Sequence, residues 1–376
     1  MVNRKRVLSL VLSYKLGGTA INSLRFIRNT HDKFEHFTIA HYLDNPKDRE
    51  LREGYKKFTK KSFDVDTTRF KVSSVIEILK IVRQIKPDII HVNGKGGALY
   101  GFFICLFYWR GFKLFYTMRG FHKKYSGIKH FLHMCFEFVF SLMVTNTIAV
   151  SDSERTYYLS ETKASSKKTV VIPNGIEVIK EELPKSINNE TRKYNVNIVS
   201  LSRINPQKDL ITMLKAFERL DKEDISLHII GGYLRDSLSD QKYERDVQKL
   251  LKTLNCKSRV YFWGDIPFAG NLIHNFDIYW STAIFEGLPT AIVEAMMSKV
   301  LVVGTNCRGN VDMIKHGETG LMSKMGDEED CFLKLKRGIQ LIYQEEGWIM
   351  LENAYKLSQK YSIENNVSSI CELYNS

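Results

Sequence analysis

Apolar residues fall along this chain in short β-branched runs, separated by segments with helical spacing. In the first half, residues 7–13 form an apolar run that predicts a strand. Gly17-Gly18 follows as a loop, and 20–29 then has helical spacing, with Ile21, Leu24, Phe26 and Ile27 as its apolar set. Residues 37–42 predict a second strand, and 47–61 is a charged segment. Helical spacing returns at 75–85 and stops before Pro87. Short buried strands are predicted at 88–92, 114–117, 146–150 and 169–172, with an aromatic-rich helix over 128–143. Strand, loop and helix repeated in this way is the pattern of a parallel sheet with helices on both faces.

A polar stretch over 177–191, with Pro184, Ser186 and Asn188-Asn189, interrupts the pattern and reads as a linker, centred on 179–191. The alternation then restarts. Strands are predicted at 197–201, 226–230 (ending in Gly231-Gly232), 260–263 (before Gly264), 278–280 and 300–304. Helices are predicted at 209–220, 241–254, 289–298 and 332–343, and 348–374 reads as helical. The expected fold class is α/β, with two doubly wound Rossmann-like domains at 1–178 and 192–358. The final helix, 359–376, is expected to pack back toward the N-terminal domain. Ligands in such sheets bind beyond the carboxyl ends of the strands, so two such edges facing across a cleft would make one shared site.

Composition narrows the class. The chain has 376 residues, enough for two cores without a disulfide or metal staple. With 44% hydrophobic and 26% charged residues, wholesale disorder and a polytopic membrane protein are excluded. The N-terminus, basic to Arg6 and then apolar, mimics a signal peptide, but Lys15-Leu16-Gly17-Gly18 stands where a cleavage site would be, so a buried first strand is expected. The most apolar windows, 98–109 and 130–144, fall short of the roughly 18 uncharged residues a spanning helix needs. Six scattered cysteines without a C-x-x-C pair predict buried thiols in a reducing compartment. Net charge is +13, and residues 1–185 carry 32 basic and 17 acidic side chains against 23 and 25 in 186–376. The N-terminal half is therefore expected to face something anionic.

Two segments carry candidate chemistry. In Glu286-Gly287-Leu288-Pro289-Thr290-Ala291-Ile292-Val293-Glu294, Pro289 fits the first turn of a helix, with Glu286 in the loop before it and Glu294 inside. The N–H groups at Gly287 and Leu288 would be free to hold an anion or hydroxyl, and a carboxylate suits a vicinal diol. In Ser202-Arg203-Ile204-Asn205-Pro206-Gln207-Lys208-Asp209, a strand ends in an Arg and a Lys opens the next helix, a pairing that suits a diphosphate. By spacing alone, a plain helix start and two solvated surface cations remain equal alternatives.

These segments give the C-terminal half its resemblance to the retaining GT-B glycosyltransferases of the family-4 type, glycosyl transferases group 1, and to enzymes of bacterial surface polysaccharides. The matching string runs Ser202-Arg203, Lys208-Asp209, Ile229-Ile230-Gly231, Phe262-Trp263-Gly264, Phe285 through Glu294-Ala295, Gly317-Glu318-Thr319-Gly320 and Tyr361-Ser362-Ile363-Glu364-Asn365. The resemblance implies that Arg203 and Lys208 hold the nucleotide diphosphate and Glu294 the ribose. Glu286 would lie by the donor sugar, with Gly287 and Leu288 offering N–H groups and Gly264 in the donor pocket. In the N-terminal half, Gly17-Gly18-Thr19 is similar to the family's first glycine loop, with Gly18 toward the donor and Gly17 and Thr19 toward the acceptor. His91-Val92-Asn93-Gly94-Lys95 resembles an H-x-x-x-K stretch and would bring Lys95 to an anionic acceptor, and Ile172-Pro173-Asn174-Gly175-Ile176 matches as well.

One stretch departs from the pattern. Related enzymes commonly read T-x-H-G-F-H where this chain reads Thr117-Met118-Arg119-Gly120-Phe121-His122. Arg119 replaces the histidine that reaches the reacting sugar. It cannot act as a base, but it can stabilise a leaving diphosphate or bind an acidic sugar. His122 is the remaining catalytic candidate. The resemblance implies a hexosyltransferase using a nucleotide-sugar donor, expected to be UDP-linked. The acceptor is expected to be a glycan or lipid-linked glycan, with no essential metal, no cofactor and no nucleic-acid partner. The alternative is a non-catalytic nucleotide-sugar-binding or partner subunit of glycosyltransferase origin. Asp64-Val65-Asp66 is the D-x-D triplet of a metal-binding transferase class, but it follows Lys60-Lys61 and not an apolar strand, so no metal site is expected there. Basic and aromatic residues interleave at 56–61 and 110–129 ahead of the apolar helix. They predict peripheral contact with anionic membrane, and a cytoplasmic location on the inner face.

Overall fold

The computed structural model describes residues 4–13, 18–42, 46–108, 111–119, 121, 127–220, 223–233 and 238–376. The chain divides into two units, Met1–Gly175 with Tyr361–Ser376, and Ile176–Lys360. Each is an α/β unit built on one parallel sheet, which is the fold class the sequence predicts.

In the first unit the strands are β1 (Arg6–Ser13), β2 (Glu35–His41), β3 (Lys61–Asp64), β4 (Ile89–Asn93), β5 (Lys113–Thr117), β6 (Asn146–Ala149) and β7 (Thr169–Val171). Their order across the sheet is β3-β2-β1-β4-β5-β6-β7. The helices are α1 (Gly18–Arg28), α2 (Pro46–Phe58), α3 (Val72–Ile85), α4 (Gly94–Phe107), α5 (Gly127–Met143) and α6 (Asp152–Thr162). A central parallel strand is covered on both faces, which is why β1 is apolar on both sides, with only Ser9 interrupting Val7 to Leu12. Leu8 and Leu10 join Ile90, Val92, Leu114 and Tyr116 in a core under α3, α4 and α5. Val7 points the other way, to a core with Ile89, Phe115, Ile148 and Phe26 of α1.

In the second unit α7 (Lys185–Thr191) precedes β8 (Val196–Leu201). Then come α8 (Leu210–Glu218), β9 (Ile225–Ile230), α9 (Leu238–Thr253), β10 (Val260–Phe262), β11 (Ile278–Ser281), α10 (Thr290–Met297), β12 (Leu301–Thr305), α11 (Asn310–Met313), β13 (Leu321–Ser323), α12 (Glu328–Leu341) and α13 (Glu345–Ser358). The sheet order is β10-β9-β8-β11-β12-β13. A short 3-10 turn, Gln359–Tyr361, leads to α14 (Ile363–Asn375), whose Ile363, Val367, Ile370 and Tyr374 complete the core under β1, β4 and β5 of the first unit.

The structure corrects several expectations. The stretch read as linker ends in helix α7, which buries Ile187, and the change of unit falls earlier, after Gly175. The helical tail is two helices, because Ser362 takes an extended conformation and caps α14 by accepting from the Asn365 N–H. Pro289 is the residue before α10, not its first. The D-x-D triplet begins at the last residue of β3, a short edge strand that the pattern did not show and that is not an apolar run. Its carboxylates are engaged: Asp64 accepts from the Tyr42 N–H, and Asp66 from Thr68 and from Lys71, which hold it below the usual carboxylate range. Among the described residues no group of three or more His, Cys, Asp or Glu could hold a metal ion, and no helix is long and apolar enough to cross a membrane. All six cysteines are free thiols; Cys105, Cys256, Cys307 and Cys331 are buried, Cys135 is exposed and Cys371 is half-buried.

Candidate functional site

Strand order reverses between β8 and β11 in the second unit. Such a reversal splays the loops that leave the two neighbouring strands and opens a crevice at their carboxyl ends. The two candidate segments are these loops. Arg203 to Lys208 follows β8, and Thr282 to Pro289 follows β11.

Local chemistry shapes the first loop. The Asn205 side chain accepts from the Lys208 N–H and sets a 3-10 turn over Pro206–Lys208. Asp209 then adopts a left-handed conformation (φ 45°) and caps α8 through the Thr212 N–H and hydroxyl. The second loop is tied to the first. Thr282 donates to the carbonyls of Lys208 and Asp209 at 2.9 Å each, the Ile284 N–H donates to the Gln207 carbonyl, and Gln207 Nε2 donates to the Phe285 carbonyl. The Glu286 N–H donates to the Arg308 carbonyl at 2.9 Å. These bonds fix Lys208 Nζ against Glu286 Oε1 as an ion pair with both side chains mostly buried.

Arg203 is exposed and has no hydrogen bond or ion pair among the described residues. Its guanidinium, a five-donor fork, lies on the same loop as Lys208. Gly287 is half-buried and Leu288 is buried. The Leu288 N–H donates to no protein group among the described residues, just ahead of the positive end of α10. Glu294, on α10, is buried against Gly270, and a β-carbon at Gly270 would fall 2.3 Å from its Oε2. Burial and the charges of Glu286 and Glu294 push the Tyr279 phenol on β11 above its usual range. Gly231 (φ 147°) and Gly264 (φ 68°) zip the ends of β9 and β10 through the Gly231 N–H to Gly264 carbonyl bond. At Gly231 a β-carbon would stand 2.3 Å from the Ser202 carbonyl oxygen, so only glycine fits. The pieces Arg203, Lys208, Gly264, Glu286, Gly287, Leu288 and Glu294 thus belong to one edge of one sheet.

The first unit has its own reversal, between β1 and β4. Gly18 opens α1 and is exposed, and Thr19 follows half-buried. Lys95 is the second residue of α4, and its ammonium lies over the Phe121 ring at 5.2 Å. Gly17 and His122 lie outside the described residues. Arg119, after β5, donates from Nη2 to Asn93 Oδ1 at 2.8 Å, from Nε to the same oxygen at 3.2 Å, and from Nη1 to Asn174 Oδ1. No carboxylate pairs with it directly among the described residues, though Glu154 acts on it at longer range. Burial lowers its pKa to about 10, so it stays charged at neutral pH. His91 is buried between Tyr374 Oη and Thr117 Oγ1, at 2.6 Å each, and burial with the nearby Arg119 lowers its pKa to about 3. Sequence reasoning missed Asn93 and Asn174 as the holders of Arg119, and Gln207 and Thr282 as the ties between the two loops. The Asn174-Gly175 turn was the one available signal, and it reports a turn, not a contact.

Comparison with known proteins adds to this geometry. The model of "Glycosyl transferases group 1" matches residues 179–368, and that of "Glycosyltransferase Family 4" matches 17–179. The capsular polysaccharide biosynthesis glycosyltransferase CapM of Staphylococcus aureus is 23% identical over 79% of this chain and 77% of its own. An Escherichia coli UDP-Gal:alpha-D-GlcNAc-diphosphoundecaprenol alpha-1,3-galactosyltransferase is 22% identical over 81% and 79%. Among solved structures, Anabaena HepE in complex with UDP and glucose superposes with a TM-score of 0.83 at 17% identity, covering 99% of this chain and all of that one. Its likeness is one of fold.

Proposed function

This chain belongs to the glycosyl transferases group 1, with a family 4 module in its N-terminal half, and from that premise we propose that it moves a hexose-type sugar from a UDP-linked donor to a glycan or lipid-linked glycan acceptor, with retention of configuration, in bacterial surface polysaccharide synthesis. The observation that carries the reading is the Lys208–Glu286 pair at the strand-order reversal, on the loop that also carries exposed Arg203, which has no partner among the described residues. The capsular and diphosphoundecaprenol enzymes among its relatives support the donor and acceptor classes.

In this reaction the bond between the anomeric carbon and the diphosphate oxygen breaks. The acceptor hydroxyl makes the new bond on the same face, and its proton follows the charge gathering on the departing diphosphate. Arg203 and Lys208 supply the positive charge that stabilises that oxygen, with the Leu288 N–H beside them. They serve the role a metal has in other transferases, so the reaction is proposed to need none. Glu286, released from part of its bond to Lys208 by the incoming phosphate, accepts from sugar hydroxyls, and Glu294 accepts from the ribose diol. Arg119, held flat by two amide oxygens, offers its remaining donors to an anionic group of donor or acceptor.

The test is a donor screen with EDTA present and no acceptor. Thermal shift and slow release of nucleotide diphosphate are followed over UDP-, GDP-, ADP- and CMP-sugars. One UDP-sugar is expected to stabilise the fold and to be slowly hydrolysed. Stabilisation by no donor would overturn the assignment. Arg119→His separates two versions of the reading. Loss of turnover marks a specialised arginine. A large gain marks a chain whose catalytic power has decayed toward a binding subunit.

A further inference from the structure

Helix α5 is apolar on both sides: Met134 and Phe140 face the core, and a second apolar stripe faces out. A surface helix turns charge to water and apolar residues to the core. On α5 the outward positions are Ile128, Phe131, Leu132, Cys135, Phe138 and Leu142, spaced three or four apart along one stripe and all exposed. Ile128 is 74% exposed, Phe131 64% and Leu132 60%. The carboxylate of the helix, Glu137, faces inward and is fully buried, with His133 at 3.3 Å. On the neighbouring α4, Leu106 and Phe107 are exposed as well, and Phe102 packs on Phe136 of α5 at 5.7 Å between ring centroids. An apolar face of this extent on a folded chain marks an interaction surface.

Charge tells which surface it meets. Along α4 and α5 the one acidic residue is Glu137, and it is buried. Exposed Lys129 stands in the first turn of α5. At its other end Lys168 Nζ donates to the carbonyls of Leu142 and Val144, beside exposed Lys167. Glu161, reaching α5 from α6, is taken up by His130 at 3.0 Å. A second copy of this face would set cation against cation. We propose that the α5 stripe lies in the interface of an anionic lipid membrane, with its apolar side chains below the headgroups and Lys129 and Lys167 on the lipid phosphates. The helix is about 25 Å long at 1.5 Å per residue, and lies along the surface. The surface is independent of the donor and acceptor assignments, because binding to lipid is read with neither present.

The test uses the full chain and two vesicle populations, phosphatidylcholine alone and phosphatidylcholine with phosphatidylglycerol. Flotation is expected with the anionic vesicles and to be weak with the neutral ones. The variant F131Q/L132Q/L142Q should lower partitioning by about tenfold or more. K129Q/K167Q should lower it on anionic vesicles alone, as added salt does. A probe that needs no change on the stripe is Cys135 itself. In a Cys371→Ser chain, a polarity-sensitive dye on this exposed thiol should shift to the blue on anionic vesicles. No flotation of the parent chain, no dye shift, or flotation unchanged by the apolar variant would overturn the proposal. So would a concentration-dependent dimer that the apolar variant disperses while vesicles bind neither form.

Discussion

At the scale of single residues, the site rests on charges placed by short-range bonds. Arg203→Ala should weaken donor binding by about ten- to a hundredfold, the worth of one charged hydrogen-bonding group, measured as nucleotide affinity by calorimetry. Glu286→Gln keeps the shape of the loop and removes a charge. Turnover should fall by about a hundredfold while UDP affinity changes far less, because Lys208 loses its partner but keeps the phosphate. Equal loss in both would place Glu286 in structure and not at the sugar. Two buried histidines of the first unit report on stability. His91 and His36 have pKa values lowered from the usual 6.5 to about 3 and about 4, chiefly by burial. Both are neutral in the fold and take a proton on unfolding. Their contribution is complete above about pH 6.5 and is lost as pH falls toward the folded values. Urea midpoints of the first unit should therefore drop between pH 7 and pH 5, and a flat profile would contradict the buried neutral histidines.

At the scale of elements, glycines let loops approach each other. Gly231→Ala would drive a β-carbon into the Ser202 carbonyl at a φ of 147° that other residues rarely adopt, with an expected loss of roughly 2–4 kcal/mol seen in chemical unfolding. Gly270→Ala is a finer probe. Its β-carbon meets the Glu294 carboxylate, the end of a side chain, so that carboxylate must turn aside. Donor affinity should fall by about tenfold or more with the melting temperature little changed. Unaltered UDP-sugar binding would remove Glu294 from the donor site.

At the scale of the molecule, the chain leaves its first unit at Gly175 and returns to it at Tyr361. The return is energetic as well as topological. Ile363, Val367, Ile370 and Tyr374 are buried in that unit's core, and Tyr374 holds the His91 ring. Ending the chain at Lys360 would expose these partners, at about 1.5–3 kcal/mol for each large apolar side chain. The first unit should then melt well below the second, as two transitions in calorimetry. A single unchanged transition would show that α14 carries little of the stability.

The sequence by itself determined the class of both units, because buried parallel strands must be apolar runs and amphipathic helices must alternate with them. It also carried the Arg203-to-Lys208 and Glu286-to-Glu294 segments, since their chemistry lies in residue types a few positions apart. Among the elements it missed, β3 and β13 are short, α6 is polar and α4 is apolar nearly all round, so none makes a clear periodic signal. What only the tertiary structure decided depends on contacts distant along the chain. Examples are the pairing of Lys208 with Glu286 across 78 positions, the Asn93 and Asn174 seat of Arg119, and the return of Tyr374 to His91 across 283. The outward turn of α5's apolar stripe belongs there too. Its periodicity reads as an ordinary core helix until the sheet shows which side is already filled.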